Sequence, residues 1–144
     1  MAQILVIDDN DSIRDGVVET AKRAGHEVAA ASSGSDGVAR FGEGVFDLVL
    51  TDLKMDGLDG IGVLQEVKSR APDVAVMIMP AYGTIDNAVE AMKLGAFDYV
   101  QKPFSPGDLR VRIDRALEWR RLQGVEERLD ATRRILTPSG YDED

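Results

Sequence analysis

Apolar residues along the chain alternate between two rhythms. Short, nearly continuous runs recur at Ile4-Leu5-Val6-Ile7, at Val28-Ala29-Ala30-Ala31, in Phe46–Asp52 around Leu48-Val49-Leu50, from Val74 to Met79, and at Phe97-Asp98-Tyr99-Val100. Runs of this length and character suit strands covered on both faces. Between them apolar positions fall three and four apart: Ile13, Val17, Ala21 and Ala24; Val38 and Phe41; Ile61, Leu64 and Val67; Ile85, Ala88, Val89 and Met92; Leu109, Ile113 and Leu117. That is the helical period. Punctuation agrees with it. Asp11 or Ser12 can cap the first helix and Gly25 ends it; Gly42 and Gly44 close the second, Ala71-Pro72-Asp73 breaks the third, Gly95 closes the fourth, and Ser105 or Asp108 caps the last.

Strand and helix thus alternate five times, which predicts an α/β fold with a parallel sheet and helices on both faces. Five such units in this length suit a flavodoxin-like, doubly wound (βα)5 sheet of order 2-1-3-4-5, with the first and third strands adjacent at the switch point. Beyond Arg121 the pattern changes. Leu122, Val125, Leu129, Thr132 and Leu136 fall at alternating three- and four-residue spacings, a coiled-coil seam of about two heptads, although Gly124 weakens the helix. A solvated helical extension gives the same pattern. The expected division is therefore a domain over residues 1–121 and a helical linker over 122–144, whose end from Pro138 reads as a frayed tail.

Composition narrows the chemistry. The 144 residues accommodate one domain and a short appendage, and 44% hydrophobic with 30% charged content is that of a water-soluble globular protein. No cysteine is present, so disulfides and thiolate metal sites are excluded, and the single His26 excludes a multi-histidine metal site or a Ser-His-Asp triad. A net charge of −9 argues against direct nucleic-acid binding and leaves room for a cation or a basic protein partner. The first residues lack the basic flank and long apolar core of a signal peptide, and no apolar run reaches membrane-spanning length. A cytoplasmic location, with no membrane partner, is the expectation.

Asp52 ends the third strand, where open α/β sheets place their ligands. Alone it reads equally as a solvated strand-end residue or a helix cap. In the expected topology, however, Asp8 and Asp9 follow the adjacent first strand and Lys102 follows the fifth. Three carboxylates at one sheet edge repel unless a cation is present, and an all-oxygen site suits Mg²⁺. Lys102 can hold Asp52 ionised or pair with a phosphoryl oxygen. An ionised carboxylate beside Mg²⁺ is a competent nucleophile toward phosphorus, giving an acyl phosphate.

These residues carry a resemblance. From residue 3 to about 121 the chain resembles the receiver domain of bacterial two-component response regulators, in Asp8-Asp9, Thr51-Asp52, Gly57, Gly60 and Lys102-Pro103-Phe104. Ala81-Tyr82-Gly83-Thr84 and the run from Ala88 to Tyr99 look most like NtrC-type receivers, which usually precede an ATPase domain that activates sigma-54 transcription. The resemblance implies phosphoryl transfer from a sensor histidine kinase to Asp52. It implies Mg²⁺ held by Asp9, Asp52 and the Lys54 carbonyl with Asp8 assisting through water, a Lys102 contact to the phosphoryl group, a cis Lys102–Pro103 bond, and Tyr99 as the switch aromatic. It further implies an output domain beyond this chain, unless the receiver stands alone, and the heptad seam suggests a homodimer through the last helix and linker.

Two positions depart from the family. Pro80, before Ala81, stands where receivers carry a Thr or Ser whose hydroxyl binds the phosphoryl group and draws the adjoining loop inward. Proline has no hydroxyl and no N–H, and it is unusual at the end of a central strand. An altered switch is the expectation. Asp56 stands where proline is common, either as an extra cation ligand or as a solvated turn residue. Three other readings compete. A pseudo-receiver would act by constitutive protein contacts. A Mg²⁺-dependent phosphohydrolase commonly needs a second Asp two residues after the nucleophile, where this chain has Lys54. A flavin module would need a phosphate cradle where the chain has acids.

Overall fold

The computed structural model describes residues 1–81 and 83–136. The element order is β1 (Gln3–Ile7), α1 (Asp11–Arg23), β2 (Glu27–Ala31), α2 (Gly34–Glu43), β3 (Leu48–Asp52), α3 (Gly60–Arg70), β4 (Ala75–Met79), α4 (Ile85–Lys93), β5 (Asp98–Tyr99) and α5 (Pro106–Leu136). The strands form one parallel sheet of order β2-β1-β3-β4-β5, the doubly wound order expected from the alternation.

Period-two alternation divides the core into two layers. Ile4 and Val6 of β1, Leu48 and Leu50 of β3, and Ala75, Met77 and Met79 of β4 pack with Val17 and Ala21 of α1 and Leu109, Ile113 and Ala116 of α5. Their neighbours Leu5, Ile7, Val49, Val76 and Ile78 face Phe41 of α2, Val63, Leu64 and Val67 of α3 and Ala91 of α4. Each such branched side chain, fully removed from water, contributes about 1.5–3 kcal/mol. The same parity runs past the strand ends. Asp8 follows Ile4 and Val6, and Asp52 follows Leu48 and Leu50, so both carboxylates belong to the α1–α5 side. With Ile7 opposite Thr51, one further step brings Asp8 level with Asp52.

Several local expectations shift by a residue or two. Asn10, rather than Asp11 or Ser12, caps α1: its side chain accepts from the Ile13 N–H at 2.9 Å. β3 starts at Leu48, two residues later than the apolar run, with Phe46 out of the ladder and stacked on Phe41 at 5.9 Å; β4 starts at Ala75, one later, the Val74 N–H donating instead to the Ala71 carbonyl at 3.0 Å. β5 shrinks to Asp98–Tyr99, although the Phe97 and Val100 N–H groups still donate to Val76 and Ile78. Ser105 is the α5 cap, accepting from the Asp108 N–H at 3.1 Å.

Pro80 lies one residue beyond β4, so it takes no donor from the ladder. α5 runs as one helix through residues 121 and 122 and through Gly124. Before it leaves the body, Arg120 bonds Asp73 at 2.8 Å and Trp119 meets Phe97 and the Lys68 ammonium. The side chains of the heptad positions Val125, Leu129, Thr132 and Leu136, and the tail from residue 137, lie outside the described residues. Among the described residues, no helix is long and apolar enough to cross a membrane.

Candidate functional site

The carboxyl ends of β1 and β3 set two acids side by side, and the loop after β5 brings a base over them. Asp8 is completely buried. Its N–H continues the strand by donating to the Ala31 carbonyl, its Oδ1 accepts from the Asn10 N–H at 2.9 Å, and its own carbonyl accepts from Arg14 Nη1 at 2.8 Å. Asp52 is 7% exposed, and its Oδ1 accepts from the Leu53 N–H at 2.9 Å and from Lys102 Nζ at 3.0 Å. The same ammonium lies 2.8 Å from Asp8 Oδ2. Gly60 closes the loop after β3, donating its N–H to the Leu53 carbonyl; a Cβ there would collide with the Asp52 carbonyl oxygen. The Lys102–Pro103 bond is cis, and the Lys102 N–H donates to the Pro80 carbonyl at 2.8 Å.

The electrostatics are those of a crowded anionic pocket. Burial raises the Asp52 pKa above the ordinary 3.8, and the Asp8 charge adds to it; the Lys102 hydrogen bond and charge and the Leu53 N–H offset only part of this. For Lys102 burial works against the ammonium, but the hydrogen bonds and charges of Asp8 and Asp52 outweigh it and hold the pKa above the ordinary 10.5. Lys102 is thus held as an ammonium by the two acids, while Asp52 takes up a proton more readily than a free carboxylate despite that ammonium.

Carboxylate oxygens of Asp8, Asp9 and Asp52 lie within 4.8 Å of one another. Three carboxylates and one ammonium leave two negative charges at this edge, which one divalent cation offsets. Asp8 Oδ2 is buried, and the Lys102 ammonium at 2.8 Å is its one close polar neighbour among the described residues, approaching off the best hydrogen-bonding direction. A carboxylate oxygen so incompletely satisfied, beside two other carboxylates, fits a hard, oxygen-seeking cation such as Mg²⁺.

The structure thus joins Asp8, Asp52 and Lys102 in direct contact and sets the exposed Asp9 carboxylate beside them. Lys54 is exposed in the loop that follows Asp52. Pro80 is buried next to Met79, the β4 partner of Asp52, while Ala81 is exposed. Tyr99 is opposite Ile78 in β5, half-buried against the α2–α4 layer. Asp56 is exposed and lies outside the acidic cluster. Sequence reasoning missed Asn10 and Arg14. The signal for Arg14 was weak: it stands three residues after Asp11, a common helical pairing. Between α1 and α5, bordering Lys102, an open apolar groove of about 470 Å³ is lined by Ile13, Val17, Pro103, Phe104 and Leu109.

Comparison with known proteins gives a consistent result. The response regulator receiver domain family matches residues 4–114. The transcriptional regulatory protein ZraR of Salmonella typhimurium is 41% identical over 123 residues, covering 85% of this chain and 28% of that protein. The regulatory protein AtoC of Escherichia coli K12 is 34% identical over 137 residues, covering 95% and 29%. Among solved structures, NtrX from Brucella abortus in complex with ADP superposes with a TM-score of 0.85 at 35% identity, over 89% of this chain and 30% of that one. A receiver domain protein from Clostridium thermocellum gives 0.81 at 40% identity, over 85% and 99%. The chain spans less than a third of the length of the curated relatives it matches.

Proposed function

Because this chain belongs to the response regulator receiver family, we propose that Asp52 accepts a phosphoryl group from a histidine kinase and that the acyl phosphate is the signal. A receiver is not an enzyme in the ordinary sense: the chain itself is what becomes modified. The Asp52 carboxylate attacks phosphorus in line, the P–N bond to the kinase histidine breaks, and its electron pair returns to the imidazole. Lys102 leaves its place between the acids to contact a phosphoryl oxygen. Asp9, Asp52 and the Lys54 carbonyl are the proposed ligands of Mg²⁺, with Asp8 acting through water. When bound, the ion offsets the charge that builds up between carboxylate and phosphoryl oxygens.

The observation that carries this reading is Lys102 Nζ at 2.8 and 3.0 Å from two acids on different strands, with a third acid adjacent. The apolar groove between α1 and α5 supports a kinase helix docking beside the acceptor. Residues 1–121 form the receiver on this reading, and 122–144 begin a linker, of which α5 carries the part up to Leu136, toward an output domain for sigma-54 transcription in the cytoplasm. A dilution series by light scattering tests the proposed homodimer through that helix. Tyr99 is the proposed switch aromatic, with Ala81 in the loop that moves and Pro80 weakening the pull.

The deciding experiment is incubation with Mg²⁺ and acetyl phosphate followed by intact-mass measurement. One added phosphate, absent from Asp52→Asn, supports the reading. No adduct and no beryllofluoride binding would leave a pseudo-receiver, and multiple turnover of phosphomonoesters would make the chain a phosphohydrolase.

A further inference from the structure

We propose that Arg14 is the positioning residue for the acidic arm, setting where Asp9 stands and hence how tightly the site holds Mg²⁺; this rests on the receiver reading above. The arm begins where β1 ends. Beyond Ile7 the chain leaves the sheet, and the Asp8 carbonyl accepts from Arg14 Nη1 at 2.8 Å, one turn into α1. That carbonyl is part of the Asp8–Asp9 peptide plane, so fixing it fixes the plane from which Asp9 starts. Asn10 ties the far side, donating its N–H to Asp8 Oδ1 and accepting from the Ile13 N–H, each at 2.9 Å. Asp9 is thus the one residue between two anchored neighbours. Its carboxylate is the exposed member of the cluster, and its position depends on the frame around it.

The guanidinium is itself held in place. Its side chain is only 17% exposed, and Nη2 bonds Asp11 Oδ1 at 2.7 Å, with Asp11 84% exposed on the solvent side. A planar fork with fixed donors can hold a carbonyl and a carboxylate at once; a lysine ammonium on a flexible stem can reach one or the other.

Two other roles give different results. If Arg14 acts only through its charge, removing a cation near the acids should tighten Mg²⁺ binding, because one repulsive charge is gone and Asp11 is left unpaired. If it only braces α1, its loss should lower the melting temperature and leave the affinity for Mg²⁺ alone. A positioning role weakens binding, by roughly ten-fold for loss of a residue that orients a ligand.

The test is a Mg²⁺ titration of the full chain, followed by amide shifts, with melting temperatures measured in EDTA. Arg14→Met should bind roughly ten-fold more weakly and Arg14→Lys should fall between it and the wild type. Arg14→Met/Asp11→Asn, in which the lost positive charge is matched by a lost negative one, should be as weak as Arg14→Met. Arg23→Met, which loses an exposed pair with Glu19 on the same helix, should match the wild type. Unchanged or tighter binding by Arg14→Met overturns the proposal. If that variant does not fold, Arg14→Lys decides, and wild-type affinity there overturns it. A wild-type chain that binds no Mg²⁺ overturns the receiver reading and the Arg14 role together, whereas normal wild-type binding with unaffected variants overturns the Arg14 role alone.

Discussion

Asp52→Asn should make the metal-free protein more stable. The ionised Asp52 is attracted to Lys102 at 3.0 Å, worth about 5.5 kcal/mol at an effective dielectric constant of about 20. Asp8 is no more than 4.8 Å away and repels it by at least about 3.5 kcal/mol on the same scale. Asp9 faces solvent and adds roughly 1 kcal/mol of repulsion. Attraction and repulsion nearly cancel, and the desolvation of a 7%-exposed carboxylate comes on top. Asparagine keeps an oxygen for the Leu53 N–H and Lys102, and its amide can donate to Asp8. The expected gain is about 1–2 kcal/mol, or roughly 3–6 °C in melting temperature. The sign has a pH signature. The Asp52 pKa is raised in the folded chain, so the penalty appears as pH climbs from the ordinary 3.8 through the elevated folded value. Denaturant titrations in EDTA should therefore give wild type and variant nearly equal stability near pH 4 and a full gap at pH 7. Mg²⁺ should raise the wild-type melting temperature and leave that of the variant almost unchanged. A variant that melts at or below the wild type at pH 7 in EDTA, or a gap independent of pH, would refute the electrostatic account.

Lys102→Met removes the only cation bonded to both buried acids among the described residues, and should cost about 2–4 kcal/mol without metal, with Mg²⁺ restoring most of it. Since the folded-state pKa of Lys102 is raised, its contribution is fully present below the ordinary 10.5 and fades only as pH rises through the folded value, so urea titrations should find the loss constant through neutral pH and closing in alkali. Gly60→Ala forces a methyl group against the Asp52 carbonyl and to within 2.8 Å of Leu53 Cα; it should cost about 2 kcal/mol or more by urea titration and slow labelling by acetyl phosphate. Pro80→Thr should leave the rate of labelling unchanged but enlarge the spectral difference between free and beryllofluoride-bound protein. Equal, full responses from wild type and Pro80→Thr would remove the case for a weakened switch.

What was legible in the sequence followed from periodicity. The alternation of Ile4, Val6 and Asp8 with Leu5 and Ile7, repeated in Leu48, Leu50 and Asp52, already fixes the shared face of the two acids once strands one and three are neighbours. Lys102 was legible for the same reason, as the residue that follows the fifth strand. Features decided by small energies were not. Asn10, Asp11 and Ser12 are all good caps, and the choice among them depends on where the chain leaves β1. The change of pattern after Arg121 marks an expected helical linker, and α5 does run on as helix past Gly124, because Leu122, Gln123 and Glu126 favour helix and one glycine costs only about 1 kcal/mol. Arg14 stayed hidden because an arginine in the first turn of a helix usually does no more than pair with its neighbours.

On the receiver reading, accepting a phosphoryl group and responding to it draw on different atoms, and the proposed effect of Pro80 falls on the second alone. Asp52, the proposed nucleophile, keeps the acids beside it and Lys102, all set by β1, β3 and the loop after β5. The end of β4 contributes what remains: Met79 pairs with Asp52, and the next residue has neither hydroxyl nor N–H. The Thr84 hydroxyl, four residues on, donates to the Ala81 carbonyl, and the Thr51 hydroxyl donates to the Asp52 carbonyl, so neither stands in for the missing one. A hydrogen bond to a charged group is worth about 1.5–3 kcal/mol. Losing 2 kcal/mol of differential binding lowers the bias on a two-state loop about 30-fold. The connection that survives is Lys102, whose Nζ meets Asp52 while its N–H donates to the Pro80 carbonyl. On the receiver reading, phosphorylation that draws Lys102 off Asp8 reaches the end of β4 through the lysine stem and its backbone N–H, a longer and more flexible path than a hydroxyl at position 80 would offer, so a smaller inward turn of Tyr99 is the expected outcome.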